Sequence, residues 1–274
     1  MNLKQIRSIV KRNTGSDTMN MPDYSIDGFI NLAQKEIVRQ TLCLRKKATI
    51  TTAGGSISSI DDAGGGALAI VTTAAHAMST GDSVIIRGTD SYDGTYTITN
   101  TGATSFTIVK TWVADEVSGS WHKQEYSLPS DFHKSTEMKI GSNFPTFKTE
   151  EYILRLFTTD PATGTAYYYY IDREAGKYGL YPIPSGVETG VFMYRALPTV
   201  MSLDSDTPDI HEAYHDLIVA GASYRVAEQL NKTDLFNHFF AFFGVLMADM
   251  ANDMATRQAD IEPGLVQSRD ILDA

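Results

Sequence analysis

His211, Glu212 and His215 spell H-E-x-x-H, the arrangement that zinc proteases use. On a helix, four-residue spacing brings both imidazoles to one face as metal ligands, and the glutamate serves as general base to a zinc-bound water. Such a site also needs a third ligand and an open coordination position. After His215 come Asp216, Leu217, Ile218 and Val219, so no H-x-x-G-x-x-H continuation supplies that ligand. Glu228 is the nearest later carboxylate, and helix geometry puts it more than about two turns away. The motif also stands beside Pro208, in the first turns of its helix rather than at a buried centre. A packing role accounts for it better. Glu212 favours a helix N-terminus, and the histidines edge the packed face.

The other constellations are weaker. Gly64-Gly65-Gly66 lacks the Lys-Ser/Thr that a phosphate-cradling loop requires, and no G-x-S-x-G elbow occurs. Asp204-Ser205-Asp206 lacks the glycine and distal glutamate of a calcium loop, so capping explains it. Cys43, the single cysteine, excludes an intrachain disulfide framework, suits a reducing cytosol, and reads as a small buried hydrophobe rather than a nucleophile. No catalytic residue, metal or cofactor is expected.

With 274 residues, 42% of them hydrophobic, the chain can bury one large core or two smaller ones. Lys4, Arg7 and Lys11 interrupt the apolar start, unlike a signal peptide, and the longest apolar run, Phe239–Met247, falls well short of the ~20 residues of a membrane helix. The net charge of −10 is uneven. Residues 1–50 carry nine bases against four acids, leaving fourteen bases and twenty-nine acids for the remainder. The basic start fits nucleic acid, an acidic neighbour or water; the acidic bulk argues against general nucleic-acid binding and suits a wall past which DNA slides.

Leu3, Ile6, Ile9 and Val10 predict an amphipathic helix stopped near Gly15. A second begins around Asp23 to Ser25, either able to cap it, with Ile26, Phe29, Ile30, Ala33 and Ile37 inward. Arg39, Arg45, Lys46 and Lys47 gather at its end, where they either complement the helix dipole or bind a partner. From Ala53 to about His122, Gly, Ser and Thr separate short runs at Ala67–Thr72, Ser83–Arg87, Gly94–Thr99 and Ser105–Lys110, a small barrel or sandwich.

Later strands are expected at Tyr152–Phe157, Ala166–Ile171, Lys177–Tyr181 and Val187–Ala196. Tyr167 to Tyr170 offer alternate rings to opposite faces, two packing and two meeting solvent or a neighbour. Thr207 is expected to cap a helix with Pro208 and Asp209 in its first turn. A last helix starts after Thr233 or Asp234, its seam running Phe236, Phe239, Phe243, Leu246, Met250 and Met254. Phe240, Phe242 and Met247 widen that apolar surface, which points to a subunit contact. Gln258–Ala274, with Pro263-Gly264 and scattered aliphatics, reads as an extended arm docking on a partner.

The expected fold is α+β: a helical bundle packed on an antiparallel β-meander, with an inserted small all-β barrel or sandwich and an extended C-terminal arm. The expected boundaries are 1–50, 51–124, 125–257 and 258–274.

Two resemblances add to this reading. The segment from His76 through Thr80-Gly81-Asp82-Ser83-Val84 to Tyr92-Asp93-Gly94-Thr95-Tyr96 resembles β-barrel modules that decorate phage structural proteins, in which His76 packs or turns rather than ligates. The remainder is similar to head-to-tail adaptor (connector, or head completion) proteins of tailed bacteriophages. That likeness rests on Ser25–Gln34, Tyr126-Ser127-Leu128-Pro129-Ser130-Asp131-Phe132, Gly179–Pro184, Tyr194–Pro198 and Leu203–His215, in that order. It implies a structural virion protein rather than an enzyme: twelve copies in a ring joining the portal to the tail, nozzle or stopper protein and continuing the DNA channel without sequence-specific binding. The implied site of action is the virion neck, after assembly in the host cytoplasm and with no membrane partner. It further implies Phe236, Phe239, Phe243 and Met247 between subunits, and Ile261, Pro263, Leu265, Val266 and Ile271 in a portal-binding arm. The alternatives are a carbohydrate- or host-surface-binding virion module built on the β-insert and, remotely, the zinc metalloprotease.

Overall fold

The structure, a computed structural model, describes residues 1–156 and 162–261. Its helices are α1 (Leu3–Thr14), α2 (Asp23–Thr41), α3 (Glu150–Leu156), α4 (His215–Gln229) and α5 (Thr233–Ile261). Its strands are β1 (Arg45–Thr51), β2 (Gly54–Asp62), β3 (Ala69–Thr73), β4 (Ser83–Arg87), β5 (Gly94–Asn100), β6 (Ser105–Ile108) and β7 (Ser120–Lys123). They continue as β8 (Glu125–Ser127), β9 (Phe132–Ile140), β10 (Thr146–Phe147), β11 (Tyr168–Asp172), β12 (Lys177–Tyr181) and β13 (Thr189–Ala196). This is the expected mixed α+β class.

Two compact units divide the chain. The first comprises Met1–Lys46, Asp131–Lys134 and Arg195–Ala274, the second Lys47–Ser130 and Ser135–Tyr194. The cuts differ from the expected boundaries, because the strands after residue 134 fall with the barrel and not with the helices.

In the helical unit each apolar stripe is buried at helical spacing. Leu3, Ile6 and Val10 of α1, Ile26, Ile30 and Ile37 of α2, and Leu217, Ile218, Ala222 and Val226 of α4 form one core with Phe243 and Met250 of α5. Asn2 and Gln5 make a capping box at the start of α1, and Gly15, at φ 58, ends it by donating to Lys11 O. The N-cap of α2 is Pro22, which offers no side-chain bond. Asp23 sits one residue inside the helix, where its carboxylate complements the dipole and pairs with Lys11.

In the second unit, β2-β3-β6-β5-β4-β7 close into a barrel. Its inward residues include Ile60, Val71, Val84, Ile86, Ile98, Phe106 and Trp121. Tyr92 is fully buried among them; its hydroxyl accepts from Val113 N at 2.9 Å and donates to Ala114 O at 2.7 Å, fastening the loop that leads to β7. A four-stranded sheet, β10-β11-β12-β8, and a three-stranded sheet, β1-β13-β9, complete the strands. The expected simple meander is therefore split: β10 joins β11 in parallel, and β13 leaves β12 for the other sheet. The strand expected over Tyr152–Phe157 is instead α3. Thr149 Oγ1 accepts from Tyr152 N at 3.3 Å, Glu150 and Glu151 fill the first turn, and Glu151 pairs with Arg155 four residues on. Local capping thus outweighs the β propensity of Tyr152 and Ile153. Phe157 lies outside the described residues.

Candidate functional site: the faces of the helical unit

The H-E-x-x-H segment does not form a helical metal face. His211 is extended (φ −53, ψ 141) and caps a single 3-10 turn, Glu212–Tyr214, accepting from Ala213 N through Nδ1 at 3.3 Å; α4 proper starts at His215. Both nitrogens of His215 are engaged inside the unit. Nε2 lies 3.0 Å from Ile210 O, which requires that this nitrogen carry the proton, and Nδ1 accepts from the Met1 amine at 2.8 Å. His215 is buried, and this holds the imidazole below its usual range, an effect to which the Met1 ammonium adds. Among the described residues, no three of His, Cys, Asp and Glu gather as a metal ion would require.

The cap expected from Thr207 is also displaced. Asp206 accepts from Ser202 N and Leu203 N at 2.7 and 2.8 Å, and Asp209 accepts from Thr199 N at 2.6 Å. These carboxylates fold the approach to α4 back on itself instead of starting the helix. Gln34 of α2, almost wholly buried, holds the same stretch by donating to Thr199 O and accepting from Asp209 N.

Much of the basic N-terminal segment is used internally. Arg7 makes a two-pronged bond to Asp27, at 2.7 Å through both Nε and NH2, and reaches Asp204 at 2.9 Å and Asp23 at 3.5 Å. The Asp27 bond, with Asp204 behind it, raises the guanidinium further above its usual range. Lys11 pairs with Asp23, and Lys46 with Asp131 at 2.7 Å. Lys35 and Arg39 of α2 remain exposed.

The seam of α5 divides into an inner and an outer set. Phe243 is 6% exposed and packs edge-on to Tyr224. It belongs to the core of its own unit, a correction to its expected place between subunits. Phe236, Phe239 and Met247 are half-buried. Phe242 and Val245, at 44% and 58% exposure, form the outward apolar face, whereas Phe240, 55% exposed, flanks the seam on its other side and packs on Phe236 and Tyr224. The backbone of α5 runs on to Ile261. Of the expected portal-binding arm, only the backbone of Ile261 is described; Pro263, Leu265, Val266 and Ile271 lie outside the described residues.

A model of the SU10 adaptor protein family matches residues 102–266, more than half of the chain. The chain belongs to the SU10 adaptor protein family. No curated protein matches it. The family match starts inside the barrel, in the turn before β6, and ends beyond α5. Ser25–Gln34, which also carried the sequence resemblance, lies outside it. This SU10 adaptor is thus a phage adaptor protein whose family region contains α4, α5 and the start of the tail.

Sequence reasoning missed two features of the adaptor's surface and interior. Leu32, on the flank of α2 opposite its buried stripe, is 53% exposed beside Lys35 and Arg39; its place outside the i, i+3, i+4 pattern was the available signal. The four tyrosines do not alternate between buried and exposed. Tyr169 and Tyr170 are buried in succession because the sheet is covered on both faces: Tyr169 meets Phe147 and Phe192, whereas Tyr170 lies over Gly179 with its hydroxyl 3.1 Å from Glu125. Tyr167 is exposed and Tyr168 half-buried, with Lys148 over the Tyr168 ring.

Proposed function

We propose that this SU10 adaptor is a structural, non-catalytic component of the virion neck: a ring of twelve copies that joins the portal to the tail, nozzle or stopper protein and continues the DNA channel. The observation that carries the reading is the family match over residues 102–266, which spans α4 and α5 and reaches into the C-terminal tail. The outward face of α5, where the exposed Phe242 and Val245 stand three residues apart on one side of the helix, supports it: large apolar side chains in water favour association with another protein surface. The acidic balance of the chain supports passage of DNA with little adhesion. The tail beyond Ile261 serves as the portal-binding arm through Pro263, Leu265, Val266 and Ile271, and the barrel is a module set into the adaptor chain.

Electron imaging of the purified protein mixed with its portal tests this reading. A ring with twelve-fold symmetry seated on the portal is the expected result. Copies that stay single, or a ring that binds no portal, overturn it.

A further inference from the structure

Lys35 and Arg39 of α2 border a groove of about 360 Å³ with Leu32, Gln40 and the ion-paired Glu36 and Arg225. Arg225 and Tyr224 both engage Glu36, so the uncompensated charge of this groove is that of Lys35 and Arg39. A second groove of about 350 Å³ runs between α4 and α5. Leu217, Leu246 and Met250 line its apolar part, and Asp216, Asp249 and Asp253 supply its charge. Asp253 accepts from the Tyr214 hydroxyl, whereas Asp216 and Asp249 make no ion pair with any described residue.

The two grooves are alike in size, opposite in charge, and set on opposite flanks. Nine residues separate Asp216 from Arg225, about two and a half turns of α4, so the two side chains leave the helix on opposite sides. We infer that copies of this chain associate head to tail, the basic flank of α2 in one copy seating in the acidic groove between α4 and α5 of the next. Leu32 meets the apolar lining, and Lys35 and Arg39 face Asp216 and Asp249. A second copy is the one occupant that satisfies both grooves at once: a phosphate backbone is repelled by the acidic one, and an acidic peptide leaves it empty. An interface that joins two different patches generates a ring whenever its rotation closes, so the inference rests on the ring reading and supplies its lateral contact.

Charge exchange tests it. The full chain, Lys35→Glu/Arg39→Glu, Asp216→Lys/Asp249→Lys and the four-fold combination are followed by sedimentation and by electron imaging, with and without the portal. Circular dichroism melts check the fold, and Asp249→Lys alone, mid-helix in α5, replaces the acidic double variant if that fails to fold. Each double variant is expected to need about tenfold or more protein for half-assembly, and the four-fold variant to recover most of that loss, since like charges face each other in the first two and opposite charges in the last. Double variants that assemble as readily as the parent, or a four-fold variant no better than the doubles, overturn this pairing while a parent ring leaves the ring reading standing. Parent chains that stay single with and without the portal overturn both.

Discussion

Phe243 fills a notch that Gly221 leaves open. A Cβ at position 221 would lie 2.9 Å from Phe243 Cε2 and 2.9 Å from the Ala33 methyl, so the missing side chain lets α2, α4 and α5 meet. Gly221→Ala sets two effects against each other: helix propensity gains about 1 kcal/mol, but neither the ring nor the methyl is a flexible end that can swing aside. The overlap prevails, and the variant is expected to lose about 1–3 kcal/mol by denaturant unfolding.

The inner and outer sets of α5 are expected to separate on truncation. Phe243→Ala removes a buried ring and should cost about 3–5 kcal/mol. Phe242→Ser and Val245→Ser touch exposed positions and should change stability by no more than about 0.5 kcal/mol while raising the protein concentration at which copies associate. A melting curve and a sedimentation series on the same variants check both halves. Equal melting losses at 242 and 243 would refute the division.

In the four-stranded sheet Tyr170 sits opposite Gly179 in antiparallel register, and a Cβ there would come within 2.2 Å of its ring. Gly179→Ala must expel Tyr170 and break its bond to Glu125, so a loss of about 2 kcal/mol or more is expected, read as a lower melting temperature. Tyr126 probes the same unit. It accepts from Ala53 N at 3.0 Å, stacks on Tyr178, and has its phenol pushed up to about 12 by burial. Ultraviolet titration should find it un-ionised at pH 10.

Acid should weaken the fold through His215 and His122. Burial, the largest of the forces on both, lowers their affinity for protons below that of the unfolded chain, near 6.5. The unfolded state therefore binds more protons below that value. The stability contribution is complete above about pH 6.5 and is lost as pH falls toward the folded values. Denaturant midpoints measured from pH 7.5 to 5 should decline, and His215→Gln should make the decline shallower. An identical slope in the variant would remove His215 from this account.

Ending the chain after Ile261 leaves α5 whole and removes Pro263, Leu265, Val266 and Ile271. Helix content and melting are expected to stay unchanged while co-sedimentation with the portal is lost. Retained binding would place the portal contact elsewhere.

The sequence showed most clearly what periodicity governs. The stripes of α1, α2 and α5 emerged with their inward residues, because burial on one face imposes a repeat, and the barrel runs near 69–73, 83–87, 94–100 and 105–108 emerged with their approximate bounds. Where two partners compete for a side chain, the letters misled. Thr207 resembles a cap, but Asp206 and Asp209 spend their carboxylates on the preceding turn and delay the helix to His215. Tyr169 and Tyr170 break the alternation expected of a half-exposed strand because both faces of the sheet are covered, a fact that depends on residues far along the chain. The two charged grooves were the least legible, since each is assembled from positions separated in sequence, and only the helix crossing brings Leu32 and Arg225 to one edge and Asp216 and Asp249 to another.

Arg7 grips Asp27 nearby and Asp204 almost two hundred residues later, and the stripes of α1 and α2 are closed by α4. During synthesis those two amphipathic helices leave the ribosome long before the segment that covers them. At typical elongation speeds the interval from Thr41 to His215 lasts roughly 10–35 s, ample for the intervening barrel to form first. The newborn chain thus carries uncovered apolar stripes throughout that interval, a window in which chaperone capture competes with premature association between neighbouring nascent chains.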